Sequence, residues 1–200
     1  MPKLYFRYGA MGAGKSMNML AVAHTYRQQG KKVLVIKPAL DVRTIDKATK
    51  VLSRTGLELE ADMLLERDTV LDRAAFAGAA CVLVDEAQFL SEFLIEQLRI
   101  LTADLPVICY GLRTDFRGRL FEGSRRLMEL ADNIEEVKVT CQLCNRKGVM
   151  NMRFIDGKPT TTGEQVSLGG DEAYSPTCFA CFHAHLPLQP MSPTPATTST

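Results

Sequence analysis

The octapeptide Gly9–Ser16, GAMGAGKS, fits G-x-x-x-x-G-K-[ST], and no other stretch restricts the fold so tightly. Glycines at 9, 12 and 14 let the backbone turn its amides inward, because glycine tolerates positive φ and close approach. With the N-terminus of a following helix, those amides form an anion site. The pattern therefore belongs between a strand and a helix, and both are legible. "KLYFRY" (3–8) reads as a strand, and a helix runs from about Lys15 to Gln29, stopped by Gly30. In this reading the loop residues Gly9, Ala10, Met11, Gly12, Ala13 and Gly14 cradle a nucleoside triphosphate. Lys15 reaches its β and γ phosphates, and the Ser16 hydroxyl binds Mg²⁺. The loop leaves open whether the terminal phosphate goes to water or to a second substrate.

The pattern around it repeats. "KVLVIK" (32–37), "CVLVDE" (81–86), "PVICYGL" (106–112) and "IEEVKVT" (134–140) read as strands. Helical patterns cover Ser91–Ala103 and 117–132. Residues 38–60 read as irregular. Residues 60–78 have apolar positions at helical spacing, with a short strand near Ala61–Leu65 as the alternative. Continuous apolar strands alternating with helices argue a parallel sheet covered on both faces. The fold class is α/β: a P-loop, RecA-like parallel sheet flanked by helices. The chain divides into an ATP-binding unit over 1–140, a small metal-binding unit over 141–185 and a flexible tail over 186–200. That tail is rich in Pro, Ser and Thr and cannot repay the entropy of ordering.

Composition excludes several classes. Lys plus Arg is 24 against 23 for Asp plus Glu, so there is no electrostatic footprint for bulk nucleic acid or an anionic membrane. No apolar run approaches the ~18 residues of a membrane span, and no secretory leader is apparent. The expectation is a soluble, cytoplasmic protein whose six cysteines are thiols or metal ligands.

Two further features carry chemistry. "CVLVDE" places two carboxylates at a strand end, where the ligand crevice of a parallel sheet lies. Asp85 there can hold Mg²⁺, directly or through water, and Glu86 can take a proton. The plainer reading is that both acids merely start a loop. The second feature is the pair of C-x-x-C knuckles, Cys141/Cys144 and Cys178/Cys181. Together they can complete a tetrahedral S₄ site for structural Zn²⁺; redox chemistry is the alternative. Cys81 and Cys109 sit in apolar strands as small core residues. His183 is close enough to Cys181 to be a spare ligand. Asp41 and Arg43 follow the second strand, where an acid can help hold the metal and an arginine can stabilise transferring phosphate. Phe89, Leu112, Phe116 and Tyr174 can wall a flat pocket for a base, and "GLRTDFRG" (111–118) reads as an active-site loop.

The succession "GAMGAGKS", "SRTGL", "CVLVDEAQFL", "PVICYGLRTDFRGRLFEGS", C-x-x-C, "GEQVSLGG…Y" and C-x-x-C resembles the type II thymidine kinases, the bacterial branch in particular, from about Leu4 to Cys181. The resemblance implies ATP- and Mg²⁺-dependent phosphorylation of the 5′-hydroxyl of thymidine, and of deoxyuridine. It further implies a structural zinc, a homotetramer and feedback inhibition by thymidine triphosphate. It makes Glu86 the base, puts Asp41 and Arg43 near metal and phosphates, and lines the thymine pocket with Leu112 and Phe116, Phe89 lying beside the nucleoside. Gln165, Val166, Ser167, Leu168, Gly169 and Gly170 begin a lasso over the base that ends at Tyr174, near the sugar, and Arg153 lies near the sugar-phosphate end. Phe179 stands where the family commonly has arginine. Two rival classes are a nucleic-acid-dependent ATPase with a zinc grip and a non-catalytic nucleotide sensor.

Overall fold

The structure, a computed structural model, describes residues 1–39, 50–52, 56, 58–163, 165 and 174–188. β1 (Leu4–Tyr8) leads into α1 (Lys15–Gln28), and β2 (Lys32–Pro38) follows. After a hairpin of β3 (Lys50–Leu52) and β4 (Glu58–Glu60) come β5 (Met63–Leu65), β6 (Ala79–Val84), α2 (Glu92–Leu101), β7 (Val107–Gly111), α3 (Glu122–Leu130) and β8 (Asn133–Glu136). The main sheet has the order β5-β2-β6-β7-β1-β8, and every pairing in it is parallel. The strand of the phosphate loop and the strand of the two carboxylates are thus separated by β7 alone.

Two-residue periodicity explains why the central strands β6 and β7, and Val33–Ile36 of β2, are apolar throughout. Leu34, Ile36, Val82, Val84, Val107 and Cys109 point to one face, under Leu94, Ile95 and Leu98 of α2 and Leu127 of α3. Val33, Val35, Cys81, Leu83, Ile108 and Tyr110 point to the other, under Met19 and Ala23 of α1 and under Val51 and Leu59 of the hairpin. A strand covered on both faces has no position for a polar side chain to reach water. Burial likewise pushes the Cys81 thiol up to about 11 and the Cys109 thiol higher still. Both are inert core residues, as their place in apolar strands implied.

Three local expectations change. Residues 60–78 hold no α-helix; the strand alternative is correct. The Asp62 carboxylate accepts the Val35 amide at 2.7 Å, and its own amide donates to the Val35 carbonyl at 2.7 Å. That pair of bonds locks the segment as an edge strand, and the remaining apolar residues, Leu71 and Phe76, reach the core from a loop and a 3₁₀ turn at Arg73–Phe76. The stretch 38–60 contains the hairpin β3–β4. The helix expected over 117–132 starts only at Glu122, because Asp115 Oδ1 accepts the amides of Arg117 and Arg119 at 2.9 Å each and closes a turn ahead of it. By contrast α2 begins where its sequence indicates: Ser91 caps it, accepting the Leu94 amide.

Beyond the main sheet, β9 (Val139–Thr140) pairs with β10 (Lys147–Gly148). A three-stranded antiparallel sheet follows, ordered β12 (Lys158–Thr160), β11 (Met150–Ile155), β13 (Tyr174–Thr177). The turn "DGKP" is where it was expected, with positive φ at Asp156 and Gly157, as a two-residue hairpin turn requires. α4 (Phe179–His185) closes the unit by burying Phe182 against Met150 and Met152. Among the described residues, no helix is long and apolar enough to cross a membrane.

Candidate nucleotide and metal sites

The loops after β1, β6 and β7 leave the same edge of the parallel sheet. In the first, Gly12 and Gly14 take φ of 73° and 81°. Gly9 is constrained differently: a Cβ there would lie 2.5 Å from the Val137 carbonyl oxygen, so only glycine lets the loop pass the exit of β8. Lys15 Nζ donates to the carbonyls of Gly9 and Ala10 at 3.1 Å each. The ammonium is thereby held against the mouth of its own loop.

Asp85 and Glu86 follow β6 directly. Asp85 is buried, and its carboxyl pKa is pushed well above the carboxylate range, by burial first and by the charge of Glu86 second, with Lys37 and Lys15 opposing. A buried acid that resists ionisation until a cation arrives is a suitable donor for a hard divalent ion. Glu86 adopts φ 51°, ψ 35°, the left-handed region that costs a non-glycine residue about 1 kcal/mol. This backbone turns the chain sharply into the 3₁₀ turn Ala87–Phe89, so the Glu86 side chain sits at the strand end. Its Oε2 accepts from Gln88 Nε2 at 2.5 Å.

An aromatic and cationic cluster forms beyond β7. Phe116 is buried, and its ring has Arg117 at 5.0 Å and Arg153 at 5.1 Å. Tyr174 lies 6.4 Å from Phe116, with Arg153 at 5.9 Å from the tyrosine ring. The structure thus brings together Phe116, Arg153 and Tyr174. Gln165 joins them, its Nε2 donating to Asp115 Oδ2 at 3.1 Å. Leu112 begins the same loop, half-buried. Phe89 packs elsewhere, edge-on to Phe121 at 5.5 Å. Asp41, Arg43, Val166, Ser167, Leu168, Gly169 and Gly170 lie outside the described residues.

The four knuckle cysteines converge. Their Sγ atoms all lie within 4.8 Å of one another, and Cys144 Sγ is 3.6 Å from both Cys178 Sγ and Cys181 Sγ. A tetrahedral ion with bonds of ~2.3 Å sets its sulfurs about 3.8 Å apart, so the donor set fits zinc. Burial disfavours the Cys141 thiolate, but backbone hydrogen bonds from Cys178, Leu143 and Cys144 outweigh it and bring its pKa down to about 6. His183 is not in the cluster: its Nδ1 accepts the Leu188 amide and its ring stacks on Phe179.

Sequence reading missed four residues that hold these parts together. Asn151, buried in β11, accepts the Met11 amide at 2.8 Å and donates to the Thr114 carbonyl at 2.9 Å. Gln88 and Asp115 act as above, and Ser124 Oγ donates to the Leu112 carbonyl at 2.5 Å. A lone polar residue inside the apolar run "VMNM" was the available signal for Asn151. An Asp three residues before Gly118 was the signal for the turn at Asp115.

A glycine-rich loop and a strand-end acid pair across one intervening strand are the arrangement of a P-loop fold, here with a four-cysteine appendage whose donor set fits a metal ion. Comparison with known proteins narrows the class. The thymidine kinase family profile matches residues 2–182. A thymidine kinase of Lactiplantibacillus plantarum is 45% identical over 182 residues, 89% of this chain and 94% of that one. The thymidine kinase of Enterococcus faecalis is also 45% identical, covering 89% and 93%. That of Shouchella clausii is 42% identical over 193 residues, covering 94% and 99%. The chain belongs to the thymidine kinase family.

Proposed function

We propose that this protein transfers the γ-phosphoryl group of ATP to the 5′-hydroxyl of thymidine, and of deoxyuridine, yielding the monophosphate for DNA synthesis. The observation that carries the reading is the continuous family match over residues 2–182. The site chemistry agrees with it. A phosphate loop with Lys15 supplies a donor half, and a carboxylate in a strained turn, linked through Gln88 to the loop that carries Phe116, supplies an acceptor half.

In this mechanism the amides of residues 9–14 and Lys15 hold the triphosphate. Ser16 and Asp85 would hold Mg²⁺, which when bound supplies positive charge to the phosphate oxygens. Asp41 and Arg43 flank metal and phosphates. Glu86 takes the proton of the 5′-hydroxyl as the oxygen attacks. Leu112 and Phe116 line the base pocket, Phe89, packed on Phe121, stands beside the nucleoside, Tyr174 lies near the sugar, Arg153 lies near the sugar-phosphate end, and residues 165–170 close over the base. Closure excludes water and favours transfer to sugar over hydrolysis. Cys141, Cys144, Cys178 and Cys181 hold a structural zinc whose sulfur ligands leave no open position for catalysis. A homotetramer in the cytoplasm, inhibited by thymidine triphosphate, completes the proposal.

The test is ADP release with thymidine, with single-stranded DNA, or with neither. Thymidine-dependent release is expected. DNA-dependent release would instead indicate a motor, and none at all a sensor. Glu86→Gln should lower turnover by ~10²–10⁴, the range for losing a general base.

A further inference from the structure

Gln88 makes two hydrogen bonds that join the two sides of the acceptor site. It is 1% exposed. Its Nε2 donates to Glu86 Oε2 at 2.5 Å, and its Oε1 accepts the Leu112 amide at 3.0 Å. The amide cannot be reversed. The Leu112 N–H can only donate, so it must face the oxygen, and the NH₂ then faces the carboxylate. The surroundings are built around this geometry. A Cβ at position 111 would lie 2.6 Å from Gln88 Oε1 and 3.1 Å from Gln88 N, so Gly111 is what lets the side chain reach the Leu112 amide. Leu112 is held on its other polar group too, through Ser124 Oγ. Gly123, the neighbour of Ser124, packs so closely that a Cβ there would lie 2.4 Å from the Ala87 carbonyl.

We propose that Gln88 is a positioning residue for the phosphoryl transfer. It ties up one oxygen of Glu86, leaves the other to meet the nucleoside hydroxyl, and sets the distance between that carboxylate and the loop that begins at Leu112. Among the described residues, the side-chain hydrogen bond that the Glu86 carboxylate accepts is the one from Gln88. Misplacing a reacting group by about 1 Å can cost a hundredfold in rate. The inference rests on the reading of Glu86 as the base.

Two substitutions separate its two bonds. Gln88→Glu keeps an acceptor for Leu112 and replaces the amide donor to Glu86 with a second carboxyl, which shares a proton with Glu86 or repels it when both are ionised. Assayed at pH 8.5, it should lower kcat about 10- to 100-fold with the KM values for ATP and thymidine within twofold of the parent. Gln88→Met loses both bonds and should add a several-fold rise in the thymidine KM. Each is compared again in a Glu86→Gln background, where a residue acting through Glu86 has little further to lose. A parental kcat in Gln88→Glu overturns the proposal, and so does an equal loss in both backgrounds. Full activity of Glu86→Gln alone removes the base itself, and the proposal with it. A slow Glu86→Gln enzyme beside a normal Gln88→Glu enzyme leaves the base standing and removes only Gln88. Melting temperatures of the parent and all five variants identify any loss that is merely unfolding.

Discussion

Asn151 and Met11, 140 residues apart in the chain, are joined by a 2.8 Å hydrogen bond from the Met11 amide to Asn151 Oδ1. The other end of the carboxamide donates to Thr114. One buried side chain of the antiparallel sheet therefore fixes both the phosphate loop and the loop beyond β7. Asn151→Leu strands these groups, and each orphaned buried partner costs about 1–3 kcal/mol. The melting temperature should fall by several degrees, and the KM for ATP should rise. Asn151→Asp keeps the acceptor for Met11 and should fall between the two in ATP KM. A Leu variant with parental ATP KM would show that the bond does not shape the loop.

Asp85 gives the protein a pH-dependent cost. Its folded-state pKa is raised by burial and by Glu86. A carboxyl whose pKa is raised on folding binds its proton more tightly in the folded state, so stability is highest below the unfolded pKa. It declines as pH rises from the unfolded value through the folded one. Without Mg²⁺ and nucleotide, the contribution of Asp85 to stability should therefore decline as pH rises from about 4 toward neutrality, against the opposite contributions of Glu122 and Asp132, whose pKa values are lowered. Asp85→Asn should remove that decline and melt a few degrees above the parent at pH 8, with the gap closing by pH 4, while phosphoryl transfer is lost. Thermal melts across that range check it. An Asn variant less stable than its parent at pH 8 contradicts it.

Asn151 also shows where sequence reading stops. The phosphate loop, the parallel strands and the zinc knuckles are legible because each is a local pattern with one physical solution. Gly9 to Ser16 needs only its neighbours to be understood, and β6, β7 and Val33–Ile36 of β2 announce two-faced burial by being apolar throughout. Residues 60–78 were misleading because their helical spacing arises from a strand, a loop and a 3₁₀ turn all meeting one core. The deciding contact, Asp62 with Val35, spans 27 residues. Gln88 and Asn151 bond groups brought to them by tertiary packing, the amides of Leu112 and Met11, so spacing does not name their partners. Asp115 closes a local turn, and its distance from Gly118 was the one trace of it.

Arg117 offers a third test. Its guanidinium lies over Phe116, and it donates to the carbonyls of Thr161 and Gly163. Beside it, Asp115 accepts from Gln165. The entrance of the segment proposed to cover the base is thus tied to the pocket loop by side chains. Arg117→Ala should raise the thymidine KM about tenfold, the effect of about 1.4 kcal/mol of lost binding, and leave kcat and the ATP KM within twofold. Steady-state kinetics in both substrates decide it. An equal loss of kcat would assign Arg117 to the chemistry instead.

The exit of the same segment depends on the metal site. β13 begins at Tyr174 and ends at Thr177, immediately before Cys178, and Cys178 both joins the cysteine cluster and caps α4 by accepting the Cys181 amide at 3.4 Å. Zinc at these four thiolates would staple β13 and α4 to the β9–β10 ribbon that carries Cys141 and Cys144. Because binding energy at such a site is folding energy for the elements it joins, chelation or Cys141→Ser should loosen Tyr174 before it disturbs the phosphate loop on the far side of Asn151. The expected result is a lower melting temperature and a raised thymidine KM, with the ATP KM changed less. Metal analysis should give one zinc per chain in the parent and none in the variant. Full thymidine affinity in zinc-free protein would mean that hydrogen bonding between β11 and β13 alone holds the tyrosine in place.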